Sequence, residues 1–370
     1  MATMIIILLM LALSAWYIPS RFKKCLNLRR IWPWRLAIFL FLAGYIVLIM
    51  FGAYTSTNIL AAAVCNIYGL AFIFYVGFLF CLAIAHLLNP LIKKTPGKIL
   101  VTAAVILSLG YVVYGFVQAQ NFTVTRYELP VKGLEEKVDI IHISDLHLGA
   151  QRGQAYLNKV IQSVNENKPD IILFNGDLVD SNIALTPTLF ALFGNLSGEA
   201  YFTTGNHEYY IDTNRALELI EEAGLKILRN EMVETHGLQL IGLEYMNADR
   251  HTYDGHMVND LTIEEELPKI IRDRHKPALV MHHSPVGLEY VIQGGADIML
   301  SGHTHGGQLF PGTLLAWLRF PLLKGLYEID GTRFLVSQGA GTFGPWMRAG
   351  TFNEIQFIRL VPEAGQALTD

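Results

Sequence analysis

No aspartate or glutamate occurs in the first 120 residues of this 370-residue chain, and only nine basic residues stand there: Arg21, Lys23, Lys24, Arg29, Arg30, Arg35, Lys93, Lys94 and Lys98. Of the 28 basic and 32 acidic residues in all, the rest of the chain therefore holds 19 and 32, a formal net charge of −13. A polyanion such as duplex DNA gains most of its affinity by counterion release onto clustered lysines and arginines. The acidic part offers no such cluster, so nucleic acid is not expected as a partner. Cysteine is scarce as well. Cys25, Cys65 and Cys81 all precede residue 100, which excludes a disulfide framework or a cysteine metal site in the polar part. Only 16% of residues are charged against 52% hydrophobic, a balance that points to a membrane portion.

That portion is visible as apolar runs at about Ala2 to Ile18, Leu36 to Tyr54, Leu60 to Leu88 and Ile99 to Val117. Each is near or above the ~20 residues with which a helix crosses a bilayer, so a bundle of about four transmembrane helices is expected over residues 1–120. The first run lacks a charged n-region and a small-residue cleavage site, and reads as a retained anchor rather than a signal peptide. Basic residues gather in the first and third connections, while Thr55 to Ile59 carries no charge. The positive-inside rule then puts the first and third loops in the cytoplasm and everything after Gln120 on the far side of the cell membrane. Tyr17, Trp32 and Trp34 fall at the expected interfaces, and His86 reads as an interfacial histidine.

Residues 121–136 read as a linker, with a short strand and turn from Tyr127 to Glu136, and residues 137–370 as a second domain. There the pattern changes to short apolar strands alternating with helical stretches. Strands are expected at Val138 to Ser144, Ile171 to Asn175, Ala200 to Thr204, Leu238 to Leu243, Ala278 to Met281, Ile298 to Ser301, Arg333 to Ser337 and Ile355 to Leu360. Helices are expected at Gln154 to Asn165, Thr188 to Phe193, Asn214 to Ala223 and Thr262 to Ile271, the last broken at Pro268. This alternation predicts an α/β sandwich with layered sheets.

Five of the strands run directly into polar clusters. They are Ser144, Asp145, Leu146, His147; Asn175, Gly176, Asp177; Gly205, Asn206, His207, Glu208; His282, His283, Ser284, Pro285; and GHTHGGQ from Gly302 to Gln308. Loops at strand C-termini are where α/β folds place ligands. Five such ends supply Asp, His and Asn and no Cys, which suits hydrolytic metals such as Mn, Fe or Zn. An Asp able to bridge would set two ions about 3.5–4 Å apart. On an extended segment, Asp145 and His147 would point the same way, as would His303 and His305. His282 reads as a satisfied strand-end histidine, whereas the His-x-Pro pattern singles out His283.

DLH at Asp145, GDLVD at Gly176, GNHE at Gly205, HSP at His283 and GHTHGGQ at Gly302 together resemble the calcineurin-like metallophosphoesterase superfamily. The four runs and the late GAGTFGPWMR segment look like its membrane-anchored bacterial branch. The resemblance extends from about Val138 to Leu360, and implies an αββα sandwich of two mixed sheets flanked by helices. It implies one ion held by Asp145, His147, Asp177 and His305, and a second by Asp177, Asn206, His283 and His303. Asp180 would pair with His207, a proton donor rather than a ligand. In phosphoprotein phosphatases of this superfamily, phosphate-binding arginines follow the GDxVD segment and precede GNHE; Ser181 and Thr204 stand there, which argues against a phosphoprotein substrate.

The chemistry implied is hydrolysis of a phosphate mono- or diester by a metal-bridging hydroxide, with His207 as general acid, Asp180 orienting it and Asn206 donating to a phosphoryl oxygen. Two other readings stay open: a nuclease on the same site, and a receptor or scaffold that metals only stabilise. Beyond GHTHGGQ lies an apolar stretch with Phe310, Leu314, Leu315, Trp317, Leu318, Phe320, Leu322 and Leu323, interleaved with Arg319 and Lys324. It reads as a core hairpin, or else as an interfacial wall admitting a lipid-linked phosphate.

Overall fold

The computed structural model describes residues 13–20, 23, 29–50, 58–88, 97–251, 258–270 and 272–363. The chain divides into two compact units, one of Met1–Tyr54, Leu60–Val117 and Gly344–Met347, the other of Thr55–Ile59, Gln118–Phe343 and Arg348–Asp370.

The first unit is built on the helices Trp32–Met50, Ile59–Leu87 and Gly97–Gln118. They are apolar around their whole circumference, which leaves no polar face to turn toward water. Tyr75, Phe78 and Leu82 pack with Val101, Ala104, Leu42 and Ile18, while Leu60, Ile67, Ile106 and Leu107 face outward. Among the described residues, two helices are long and apolar enough to cross a membrane, Ile59–Leu87 and Gly97–Gln118. Four spans were expected. Most of the first expected run, Lys93 and Lys94 of the third connection, and most of the second connection lie outside the described residues.

In the second unit, strand periodicity sorts side chains into layers. One sheet has the order β1 (Phe122–Val131), β12 (Asn353–Pro362), β2 (Val138–Ile143), β3 (Ile171–Asn175), β4 (Glu199–Thr203), β5 (Lys226–Ile227). The other runs β10 (Gly325–Ile329), β11 (Thr332–Val336), β9 (Ile298–Ser301), β8 (Ala278–Met281), β7 (Leu238–Gly242), β6 (Glu231–Thr235). Ile140, Ile171, Leu173, Leu279, Met281, Ile298 and Leu300 fill the space between the sheets. Their neighbours Ile141, Ile143, Ile172 and Phe174 face outward onto the helix Gln154–Asn167, and Ala278, Val280 and Met299 do the same on the second sheet's outer side. The result is a mixed α/β sandwich.

All eight expected strands are present, with ends shifted by no more than two residues. Residues 121–136, expected as a linker with a short strand from Tyr127, contain β1, which begins earlier, at Phe122, and pairs in parallel with β12 along ten residues. Its alternation of half-exposed and exposed residues hid its full length, as is usual for an edge strand with one wet face. The expected core hairpin after GHTHGGQ is also different: Gly312–Arg319 forms a helix with no buried residue, and the hairpin β10–β11 follows it.

β2, β3 and β4 run parallel to one another, as do β8 and β9. Their C-terminal ends meet across the sandwich, where Asn175 Nδ2 donates to the Leu300 carbonyl at 2.7 Å.

Candidate metal centre

The loops leaving these five strands hold one another through main-chain bonds. Asp145 N donates to Gly176 O at 3.1 Å, His147 N to Asp177 O at 3.0 Å, and Gly302 N to His283 O at 2.8 Å. Asp145, His147, Asp177, His303 and His305 all take φ between 49° and 67°. Left-handed backbone in non-glycine residues costs on the order of 1 kcal/mol each and gathers at functional sites. The side chains of Asp145 and His147 are therefore brought together by an irregular turn rather than by the extended segment expected from their spacing. Gly205 permits the close approach: a Cβ there would collide with the Asp177 side chain and main chain.

Two donor groups result. In the first, Asp145, His147 and His305 converge; His147 Nε2 lies 3.1 Å from His305 Nε2, and His305 Nε2 lies 3.3 Å from Asp145 Oδ1. In the second, Asp177, His283 and His303 converge, with His283 Nε2 3.1 Å from Asp177 Oδ2. Asn206 is buried and, among the described residues, its Oδ1 has no hydrogen-bond partner. Buried polar atoms are rarely left so unless something else satisfies them. Donor spacings of 3.1–3.3 Å match the edges of a coordination shell with metal–nitrogen distances of ~2.0–2.1 Å. Oxygen and imidazole donors without thiolate fit divalent hydrolytic cations. The residues present thus fit metal ions.

The charges gathered here shift one another's protonation. Burial opposes ionisation of Asp177, but His283 and His207 outweigh it and hold its carboxyl well below the usual carboxylate range. Burial likewise opposes protonation of His283, yet Asp177 and Asp145 raise it to about 10. Beside these groups, His207 Nδ1 donates to Asp180 Oδ1 at 2.6 Å. His207 is raised to about 9, with burial overcome by Asp177 and Asp180, and Asp180 falls to about 2, with burial overcome by His207 and His147. His207 Nε2 is 3.9 Å from Asp177 Oδ2, and its ring meets Phe343 and Tyr210.

Several supporting residues carried no expected role. His283 Nδ1 donates to the Asn175 carbonyl at 2.8 Å, which fixes its tautomer and turns Nε2 inward. Glu208 is fully buried and accepts from the backbone N–H of Asp177, Leu178, Val179 and Gly205 at 2.7–3.2 Å. Arg348, also fully buried, donates to the His305 carbonyl at 2.8 Å and approaches His305 Nδ1 at 3.1 Å. Burial lowers its pKa to about 9, so it stays charged at neutral pH. Both sat inside the quoted motifs, as a glutamate in GNHE and an arginine ending GAGTFGPWMR. His282 has both ring nitrogens engaged, Nδ1 with Ser284 O and Nε2 with Met246 N. Ser181 and Thr204 accept from the Ile183 and Tyr245 amides.

A mixed α/β sandwich with Asp, His and Asn gathered at five strand ends defines a class of proteins able to hold metals. Residues 138–307 match the calcineurin-like phosphoesterase family. An uncharacterized metallophosphoesterase of Aquifex aeolicus is 34% identical over 242 residues, which cover 63% of this chain and 87% of that protein. The chain belongs to the calcineurin-like phosphoesterase family. An uncharacterized metallophosphoesterase of Helicobacter pylori is 33% identical over 62% of this chain, and a "transmembrane protein with metallophosphoesterase domain" of Danio rerio is 33% identical over 70%. The chain spans only 61% and 62% of these two relatives' lengths.

Proposed function

We propose that the protein is a membrane-anchored phosphoesterase that hydrolyses phosphate mono- or diesters with two divalent cations, Mn, Fe or Zn. Asp145, His147, Asp177 and His305 would hold one, and Asp177, Asn206, His283 and His303 the other. Bound there, two cations acidify water and neutralise phosphoryl oxygens. The observation that carries the reading is the pair of donor groups beside a hydrogen-bonded His207–Asp180 pair. Asp180 accepts from His207 Nδ1, so the protonated ring presents Nε2–H. From there His207 gives its proton to the leaving alkoxide, and Asp180 stabilises the ring while it is charged. The Asn206 side-chain amide donates to a phosphoryl oxygen through Nδ2 while its Oδ1 remains a ligand.

The loop charges support a multi-pass arrangement of four spans with the second unit on the extracytoplasmic side. Lipid-linked phosphates are a candidate substrate class for a site anchored in this way.

The test uses the purified full chain with added Mn, Fe or Zn and an aryl phosphate ester. His207→Ala should keep its metal content and lose about 10²–10⁴-fold in kcat. Full activity in that variant ends the assignment, and a wild-type protein inert on aryl mono- and diesters with every metal ends the reading.

A further inference from the structure

Among the described residues after 120, eight large apolar or aromatic side chains are exposed, and five of them lie between Phe310 and Leu318. Leu314, Leu315, Trp317 and Leu318 are 57%, 68%, 69% and 74% exposed. All four belong to the helix Gly312–Arg319, and at about 100° per residue they form one continuous apolar arc of roughly 160°. The other side of the helix is fixed. Gly307, at φ 78° in the GHTHGGQ loop, lies so close to it that a Cβ would be 2.6 Å from Thr313 Cα and 2.9 Å from Ala316 Cβ. The helix therefore packs its small residues on the loop that carries His303 and His305, and turns its large apolar residues outward.

This is the reverse of a surface helix made for water, and a patch of this kind marks an interaction surface. The flanks identify the occupant. Arg319 and Lys324 are both exposed, no acidic residue occurs from Gly312 to Lys324, and Trp317 stands within the apolar arc. Leucine, tryptophan and basic residues in this arrangement suit the headgroup region of an anionic bilayer. A chain with apolar helices of membrane-spanning length meets that surface at high effective concentration.

We propose that the helix Gly312–Arg319 is a monotopic docking element that seats the second unit on anionic lipid. It also reports to the site. Phe320, the next residue, sets its ring edge-on to His303 at 5.7 Å, so a bilayer that seats the helix lies beside the site and presents embedded esters to it. That second step rests on the phosphoesterase reading, whereas docking does not.

The experiment places the full chain in nanodiscs of phosphatidylcholine with or without phosphatidylglycerol, using lipids brominated on the acyl chain. Trp317→Phe should remove a bromolipid-quenched component of the tryptophan emission, larger with the anionic lipid. If quenching is the same in both proteins, or if Trp317 is instead shielded by a second copy in a concentration-dependent dimer, the proposal is overturned. The double variant Leu315→Asp, Leu318→Asp should raise KM for a phosphate ester embedded in vesicles about tenfold. Its kcat/KM on a soluble aryl phosphate should stay at the wild-type value. Equal losses on both substrates, or none on either, would overturn coupling to the site. Wild-type inactivity on the soluble ester would remove the phosphoesterase reading and leave the quenching result standing.

Discussion

The two donor groups are built from the same residue types but are supported in opposite ways. Around Asp145, His147 and His305 the support is a buried cation: Arg348 braces His305 from behind, and burial, Arg348 and His147 together hold that imidazole well below its ordinary pKa. Around Asp177, His283 and His303 the support is neutral or anionic. A carbonyl of Asn175 orients His283, and Glu208, raised by burial and by Asp177, gathers the backbone of the Asp177 turn. The comparison teaches that an imidazole can be readied as a ligand by a neighbouring cation that keeps it neutral, or by a carbonyl that fixes its tautomer. The ordinary rule of a second partner orienting each ligand is met by different chemistry on each side.

The sharpest way to break the comparison is to remove what the groups share. Asp177→Asn should lower kcat by at least about 10³-fold, because one change touches both proposed ions, and metal analysis should show both lost. Retention of both ions would end the bridging assignment. Next, Arg348→Met should act on the first group alone, with about a 10–100-fold activity loss and roughly half the metal content. It should also destabilise the fold by at least about 3 kcal/mol, since Arg348 satisfies the carbonyls of Gln338, Gly339 and Gly341 and these would be stranded. Equal loss from both groups would show that the asymmetry is not functional. Glu208→Gln should act on the second group, lowering activity about tenfold while four backbone donors lose their shared anionic acceptor, and thermal melting should report a smaller loss than for Arg348→Met.

The smallest effect is expected far from both groups. Arg359, followed by burial and Lys137, sets the pKa of Asp139, and the two cations prevail over burial to lower it. Its folded pKa therefore lies below its unfolded one. The stabilisation is complete above the unfolded value and is lost as pH falls through the folded one. Asp139→Asn should lower Tm slightly at pH 7 and progressively less as pH falls below the ordinary carboxylate range, with metal content unchanged.

Much of this was legible in the chain. Strands such as Ile171–Asn175 are short apolar runs ending in polar residues, and that pattern depends only on neighbours in sequence. The ligand candidates were legible for the same reason, since each sits at the end of such a run. The first half of β1 was not, because an edge strand with one wet face has no continuous apolar signature. Arg348 was not, because its seven acceptors converge only after residues 305 to 353 have come together. Nor was the outward turn of Leu315 and Leu318, since apolar spacing alone cannot tell a face packed in the core from one turned out to solvent.

By itself the sequence determined the apolar character of the first 120 residues, the alternation of the rest, and the supply of Asp, His and Asn at five strand ends. These are local properties, set by side-chain chemistry and the two- and 3.6-residue periods of the backbone. Only the tertiary structure decided which of those residues meet. It used left-handed backbone at Asp145, His147, His303 and His305 where strand periodicity predicted extension, and it set Asp180 against His207 and Arg348 behind His305. Such contacts join residues far apart in the chain, and their geometry exists only once two sheets have packed and fixed where each loop begins.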